Sequence, residues 1–328
     1  FRMIQGEVQQ IIAPALDVTL RTADAAEAAS AGDLDAALMR EATTPFDLSV
    51  APLLRATIWR RDDRRHVLML VSHHVIVDGW SLKIILDELA QAYTSLAAGR
   101  APSLPPLPVQ YADFALWEQQ SLKQVPNPGI EFWTQRLAGD VAPLELPVDR
   151  RRPATPSYGG RALPFQLPAS LTTGINALGR AEGGSFFIAA LTALAAVLHR
   201  YSGSLTVLIG SPIANRLRPE LEHVVGFFAN TIVFRADLSG DPSFRELFRR
   251  VRQDALEAYA HQDTPFDRVV RAVQPDRAAD RNPIFQVALA HQRQPDVMFA
   301  LPGVQITPRL VFTNTAKFDL LIDVQEYG

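Results

Sequence analysis

His73 and His74 are adjacent, and His74 lies four residues ahead of Asp78 in the run Val71-Ser72-His73-His74-Val75-Ile76-Val77-Asp78-Gly79-Trp80-Ser81. Neighbouring side chains on an extended strand point to opposite faces, so one imidazole can face a cleft while the other is held in packing. An imidazole suits proton transfer or amine positioning near neutral pH. Asp78 can orient it directly or fix the loop through an arginine, and Gly79 lets the backbone bend tightly. The same residues also read as two strand-end histidines followed by an Asp-Gly turn, with no chemistry. Metal ligation fits less well, because adjacent histidines diverge and no third ligand stands nearby at suitable spacing. A Ser-His-Asp hydrolase fits poorly too: there is no G-x-S-x-G, and Ser72 sits within the strand pattern.

The elements around this run must position it. Residues 53–61 and 66–73 are β-rich runs separated by the polar segment from Arg61 to Arg65, the pattern of a hairpin. The second run is apolar on both alternations and predicts a buried central strand. From Gly79 to Ala98 the period changes: Leu82, Ile85, Leu86, Leu89 and Tyr93 recur at helical spacing, and Gly99 is the expected stop. The histidine pair therefore sits where a strand ends and a helix begins.

Residues 101–108 form a proline-rich connector, followed by helical patterns at 110–122 and 128–138. A second proline-rich stretch over 141–160, ending in Tyr158-Gly159-Gly160, is the candidate linker between an N-terminal lobe, 1–150, and a C-terminal lobe, 151–328. The second half predicts strands at 161–167, 205–210, 227–236, 284–291 and 318–325. It predicts helices at 169–181, 184–201, 243–261 and 265–273, of which 184–201 is apolar over most of its surface and expected to be buried. Strands and helices in both halves indicate an α/β (α+β) fold.

A chain of 328 residues exceeds one small core and suggests two domains or lobes. At 48% hydrophobic and 20% charged it has ordinary globular composition. A net charge of −3, with no Lys/Arg run interleaved with aromatics, argues against nucleic acid as a partner. The absence of cysteine excludes disulfides, thiolate zinc sites and cysteine nucleophiles, and fits a reducing cytoplasm. No apolar run reaches membrane-spanning length, and Phe1 to Gln10 lack a signal-peptide pattern. The chain starts without Met and within a pattern, and reads as an excerpt of a longer polypeptide.

His73 to Gly79 (HHVIVDG) matches the HHxxxDG signature of nonribosomal peptide synthetase condensation domains. It also resembles the HxxxDG signature of chloramphenicol acetyltransferase-like acyltransferases. Four further segments, in the family order, resemble companion motifs: Tyr111 to Trp117 (YADFALW), Val225 to Arg235 (VGFFANTIVFR), His261 to Asp267 (HQDTPFD, where the family has Glu last) and Arg281 to Phe285 (RNPIF). The family's first motif, SxAQxRxW-like, is absent, and the LRTxF-like end of the second would precede Phe1. The excerpt is expected to lack part of each lobe.

The resemblance implies two chloramphenicol acetyltransferase-like lobes in a V around a central tunnel, with the HHxxxDG segment near its middle. It implies donor and acceptor peptidyl carrier domains as partners, and an adjacent adenylation domain in the same megasynthase. The carriers deliver phosphopantetheine arms, and no cofactor or metal is bound intrinsically. The acceptor amine attacks the donor thioester and an amide forms, in pathways of the antibiotic or siderophore kind. Carried over by position, His74 is the base or the group that positions the acceptor amine, and His73 is structural. Asp78 is structural and paired with an arginine, for which Arg216 is the candidate. The Gly79 N–H is a candidate oxyanion donor. Asn230 is expected to satisfy backbone groups at a strand crossing, and Phe227 or Phe228 to line the tunnel. YADFALW, HQDTPFD and RNPIF are expected to be architectural, and His199, His223 and His291 to be packing or surface residues.

DGWS, with Trp80, resembles the subtype that joins an L-configured donor to an L-configured acceptor, although a chain-initiating variant taking a fatty acyl donor stays open. Heterocyclisation domains replace the histidine pair with Asp-rich residues and are disfavoured. Epimerisation domains share HHxxxDG but use a second acid/base that is not found here. A catalytically silent docking lobe and a free-standing coenzyme A-dependent transferase are the remaining alternatives.

Overall fold

The computed structural model describes residues 1–24, 34–123, 126–139, 142–273, 280–294 and 299–327. Contacts gather the chain into two compact units. One comprises Phe1–Pro106, His223–Phe227 and Phe299–Thr313; the other comprises Leu107–Glu222, Phe228–Met298 and Asn314–Gly328.

The first unit begins with a small hairpin of β1 (Arg2–Ile4) and β2 (Glu7–Gln9). It continues with β3 (Leu20–Asp24), α1 (Leu34–Thr43), β4 (Leu54–Arg60), β5 (His66–Ser72) and α2 (Gly79–Ala97). A three-stranded sheet runs β3-β4-β5, with β3 parallel to β4 and β5 antiparallel to it. The β4–β5 hairpin is the one expected from the sequence. Asp62 closes it by accepting the N–H groups of Arg64 and Arg65, at 2.9 and 2.8 Å. The Arg64 N–H and the Arg65 guanidinium hold the Asp62 carboxyl down at about 2.

The expectation of a central position for β5 is corrected. Among the described residues β4 is the middle strand, and within β5 only Met69 is fully buried. Apolar residues on both alternations tell that a strand favours burial. They do not tell that β3 joins the far edge of β4 rather than of β5.

The second unit contains α3 (Tyr111–Ser121), α4 (Pro128–Leu137), α5 (Ala169–Ala181), α6 (Phe186–Ser202), β6 (Thr206–Ile213), β7 (Asn230–Asp237), α7 (Phe244–Ala260), α8 (Phe266–Val273), β8 (Val287–Gln294) and β9 (Leu320–Tyr327). Its sheet runs β7-β6-β8-β9. β6 and β7 are antiparallel, and β6–β8 and β8–β9 are parallel. α6 is the core helix foreseen from its all-round apolar surface, with Leu191, Ala195 and Leu198 buried. Ser185 caps its start by accepting the Ile188 N–H, and Gly203 ends it with φ +72°, the left-handed position that glycine takes without steric cost.

The strand expected at 161–167 does not form. Among the described residues this segment has no strand partner, and Leu163 and Phe165 are 86% and 66% exposed. Its alternating apolar residues mimic a strand, but Pro164 has no N–H to give a ladder. β7 and β8 also start three residues later than read. Before β8, Ile284 takes φ +70° and the Phe285 N–H bonds to Pro283 O at 2.8 Å, a tight three-residue turn that delays the strand.

Candidate active site

The segment that joins β5 to α2 carries the histidine pair. β5 ends at Ser72 and the His73 N–H bonds back to Leu53 O at 2.9 Å, which carries the hairpin one residue further. The His73 ring stays on the protein side. Its Nδ1 accepts the Val75 N–H at 3.1 Å, and the ring stands edge-on to Phe46 with centroids 6.2 Å apart. Arg55 supports that wall: its guanidinium lies 3.8 Å from the Phe46 centroid and donates to the carbonyls of Glu41 and Thr44 at the end of α1. His73 is thus held by packing and by its own turn.

His74 faces the other way and is exposed. Its Nδ1 lies 2.7 Å from Val77 O. A carbonyl has no proton to give, so Nδ1 is the donor in that bond and Nε2 of the neutral ring carries the lone pair. Phe227 packs edge-on against the imidazole, with centroids 5.1 Å apart and planes at 73°.

Asp78 is 3% exposed and is the N-cap of α2, its carboxylate accepting the Ser81 N–H at 2.7 Å. That bond fixes the start of α2, while Nδ1 of His74 is engaged by Val77 O. Gly79 is the first residue of α2, and Trp80, 47% exposed, follows it. The tight bend expected at Gly79 is not found. Gly79 is not among the residues with positive φ, and a Cβ built on it meets nothing within 4 Å. Its N–H is one of the first groups of the helix, which α2 itself leaves without a partner.

Arg216 and Asn230 belong to the second unit. The Arg216 guanidinium donates to Leu221 O and lies 4.1 Å from the Phe228 ring centroid. Asn230 Nδ2 donates to Gln262 O and Thr264 O, at 2.9 and 2.7 Å, while its Oδ1 accepts the Phe266 N–H at 3.0 Å. The side chain of Asn230 therefore ties the start of β7 to the HQDTPFD loop. Phe228 is buried against Phe114 (4.7 Å) and Tyr111 (5.1 Å), which joins YADFALW to VGFFANT by packing. Trp117, in the same segment, is 42% exposed, with the Arg218 guanidinium 4.6 Å over its ring. Phe285 of RNPIF fills the core above Gly210, where an added Cβ would come within 2.1 Å of its ring. His199 Nδ1 donates to Ser204 O, 2.8 Å away, in the turn after α6.

Comparison with known proteins bears on the whole chain. The family model described as Condensation domain matches residues 1–328. A linear gramicidin synthase polypeptide of Brevibacillus parabrevis is 40% identical over 327 residues, 98% of this chain and 6% of that protein. Chondramide synthase cmdD of Chondromyces crocatus is 41% identical over 330 residues, 98% of this chain and 8% of that protein. The chain thus spans less than a tenth of the length of these relatives. Among solved structures, the X-domain from teicoplanin biosynthesis superposes with a TM-score of 0.85 at 29% identity, covering 97% of this chain and 71% of that one. The motif segments, the mixed α/β architecture and this match across the full length agree: the chain belongs to the condensation-domain family of nonribosomal peptide synthetases.

Proposed function

We propose that this chain joins a donor acyl or peptidyl thioester to an acceptor aminoacyl thioester, each presented on the phosphopantetheine arm of a carrier protein. The observation that carries the reading is the fixed imidazole. Val77 O engages Nδ1 of an exposed His74 and leaves Nε2 to meet a substrate. In the step, the amine nitrogen attacks the thioester carbonyl carbon, a C–N bond forms, the C–S bond breaks and the amine proton ends on the departing sulfur. Nε2 accepts a hydrogen bond from the amine N–H and so aims its lone pair, or carries the proton across. A neutral amine needs little base strength against a thioester, so aiming accounts for much of the effect. The Gly79 N–H, at the positive end of α2, suits the oxyanion of the tetrahedral intermediate. The open space beside Gly79 suits the approach of a thin pantetheine chain. DGWS around Trp80 supports the L-to-L subtype, and family membership supports carrier and adenylation domains as partners.

The test loads donor and acceptor carriers with aminoacyl-phosphopantetheine, adds the protein, and follows the dipeptidyl carrier by intact mass. His74→Ala is expected to lower the single-turnover rate at least about 100-fold in folded protein. Equal rates in the two proteins would remove His74 from the chemistry. Donor racemisation without amide would replace the reading by epimerisation, and carrier binding without either product by a docking role.

A further inference from the structure

Ser81, in the first turn of α2, has no exposed surface. Its hydroxyl donates to Gly226 O at 2.8 Å and accepts the Gly226 N–H at 3.0 Å, across 145 positions of sequence. Gly226 is itself buried. A hydroxyl is a small group that serves a backbone donor and a backbone acceptor at one atom. One serine therefore fixes the backbone on both sides of the Gly226 Cα, and with it the direction in which the next residue leaves the chain. That residue is Phe227, whose ring stands against His74.

From this geometry we infer that Ser81 is a positioning residue for His74: through Gly226 it seats Phe227 against the imidazole. The ring is then held at two places, by Val77 O at Nδ1 and by Phe227 at its side, and Nε2 keeps one direction. The inference rests on the reading of His74 as the group that meets the substrate. Ser81 acts only through its neighbours, since its hydroxyl is turned inward onto Gly226. A ring freed on the Phe227 side keeps its Nδ1 bond but swings about it, and displacement of a reacting group by about 1 Å costs on the order of 100-fold in rate.

The test uses the full chain, with histidine labelled in 13C and 15N and the His74 signals assigned by their loss in His74→Ala. These signals report the ring current of Phe227 and the Nδ1-protonated tautomer, with no substrate present. Ser81→Ala is expected to move the His74 resonances toward those of Phe227→Leu. It is also expected to lower kcat for amide formation by about 10- to 100-fold with the carrier KM unchanged. Ser81→Thr, which keeps the oxygen, is expected to restore both. The double variant Ser81→Ala/Phe227→Leu is expected to react no more slowly than Phe227→Leu alone, because both changes remove the same support. A folded Ser81→Ala with unmoved His74 resonances overturns the inference, and so does a double variant whose losses multiply. If Ser81→Ala does not fold, Phe227→Leu decides: an unshifted His74 ring there overturns it. If wild type makes no amide, the resonances still decide the positioning of His74, and it is the condensation reading that fails.

Discussion

His73 and His74 are chain neighbours in different surroundings, both past the end of β5: His73 extends the hairpin through its bond to Leu53 O, and the turn that holds His74 is closed by the Ile76 N–H on His73 O, at 3.1 Å. His73 serves its own turn and the Phe46 wall, while His74 turns outward with one nitrogen engaged. That the two rings diverge was legible from the sequence, but the cause was not: a turn just past β5, rather than strand alternation, separates them. The partners of His74 were not: Phe227 and the Ser81–Gly226 bonds lie about 150 residues downstream, and no spacing rule reaches that far. Asp78 supplies a prediction at this scale. As a buried N-cap whose carboxylate receives the Ser81 N–H, it is expected to cost at least about 1 kcal/mol of stability when changed to Ala. Asp78→Asn, which also caps, is expected to retain more of it. Urea denaturation of both variants checks the order, and equal losses would show that charge rather than capping governs the position.

Among the elements, those with a strong period were readable: the hairpin β4–β5, the switch to helix at Gly79, and the apolar α6. β1 and β2 were not foreseen, because each is three residues long with every residue exposed and shows no alternation. The segment 161–167 failed in the opposite sense, showing alternation without a partner to pair with. Two predictions concern how elements of the second unit meet. β6 passes Phe285 at Gly210, so Gly210→Ala is expected to lose about 1–3 kcal/mol through overpacking, partly recovered by adding Phe285→Leu. Differential scanning calorimetry of the single and double variants measures the recovery.

α4 and α7 meet through Arg136 and Asp254, whose side chains are 9% and 14% exposed, with Glu257 as a second partner of Arg136. Asp254→Ala is expected to cost about 3 kcal/mol, because it leaves a buried guanidinium with only the weaker pair. Burial pushes the Asp254 carboxyl up to about 6, against the opposing pull of Arg136 and the Arg235 N–H. The folded protein therefore takes up this proton before the unfolded chain does as pH falls from 7 toward 4. Asp254 accordingly favours folding more at about pH 5 than at pH 7. Chemical denaturation at both pH values is expected to show that increment in wild type and to lose it in Asp254→Asn.

Across the whole molecule, burial is uneven. The second unit has a continuous core in which Ala195, Val207, Phe248 and Val287 have no exposed surface, whereas the first opens with a hairpin exposed throughout. Amide exchange is expected to be slowest in α6 and β6 and fastest in β1 and β2, because opening energies follow local burial. Mass-spectrometric hydrogen exchange would show this ranking, and protection of β1–β2 equal to that of β6 would contradict it. The units are also built from separated segments. His223–Phe227 belongs to the first while Glu222 and Phe228 belong to the second. Composition marks proline-rich connectors, but it does not encode such interleaving, since the segment that crosses is defined by what it packs against.

Gly79 has one more consequence when set beside the residue counts. The chain contains no cysteine, and a Cβ at Gly79 meets nothing within 4 Å. Gly79→Cys would therefore introduce a solitary, accessible thiol within a few residues of His74. A fluorophore or spin label attached there would report changes beside His74 directly, and, on the proposed function, would fill the space left for the pantetheine chain and so block amide formation in folded protein.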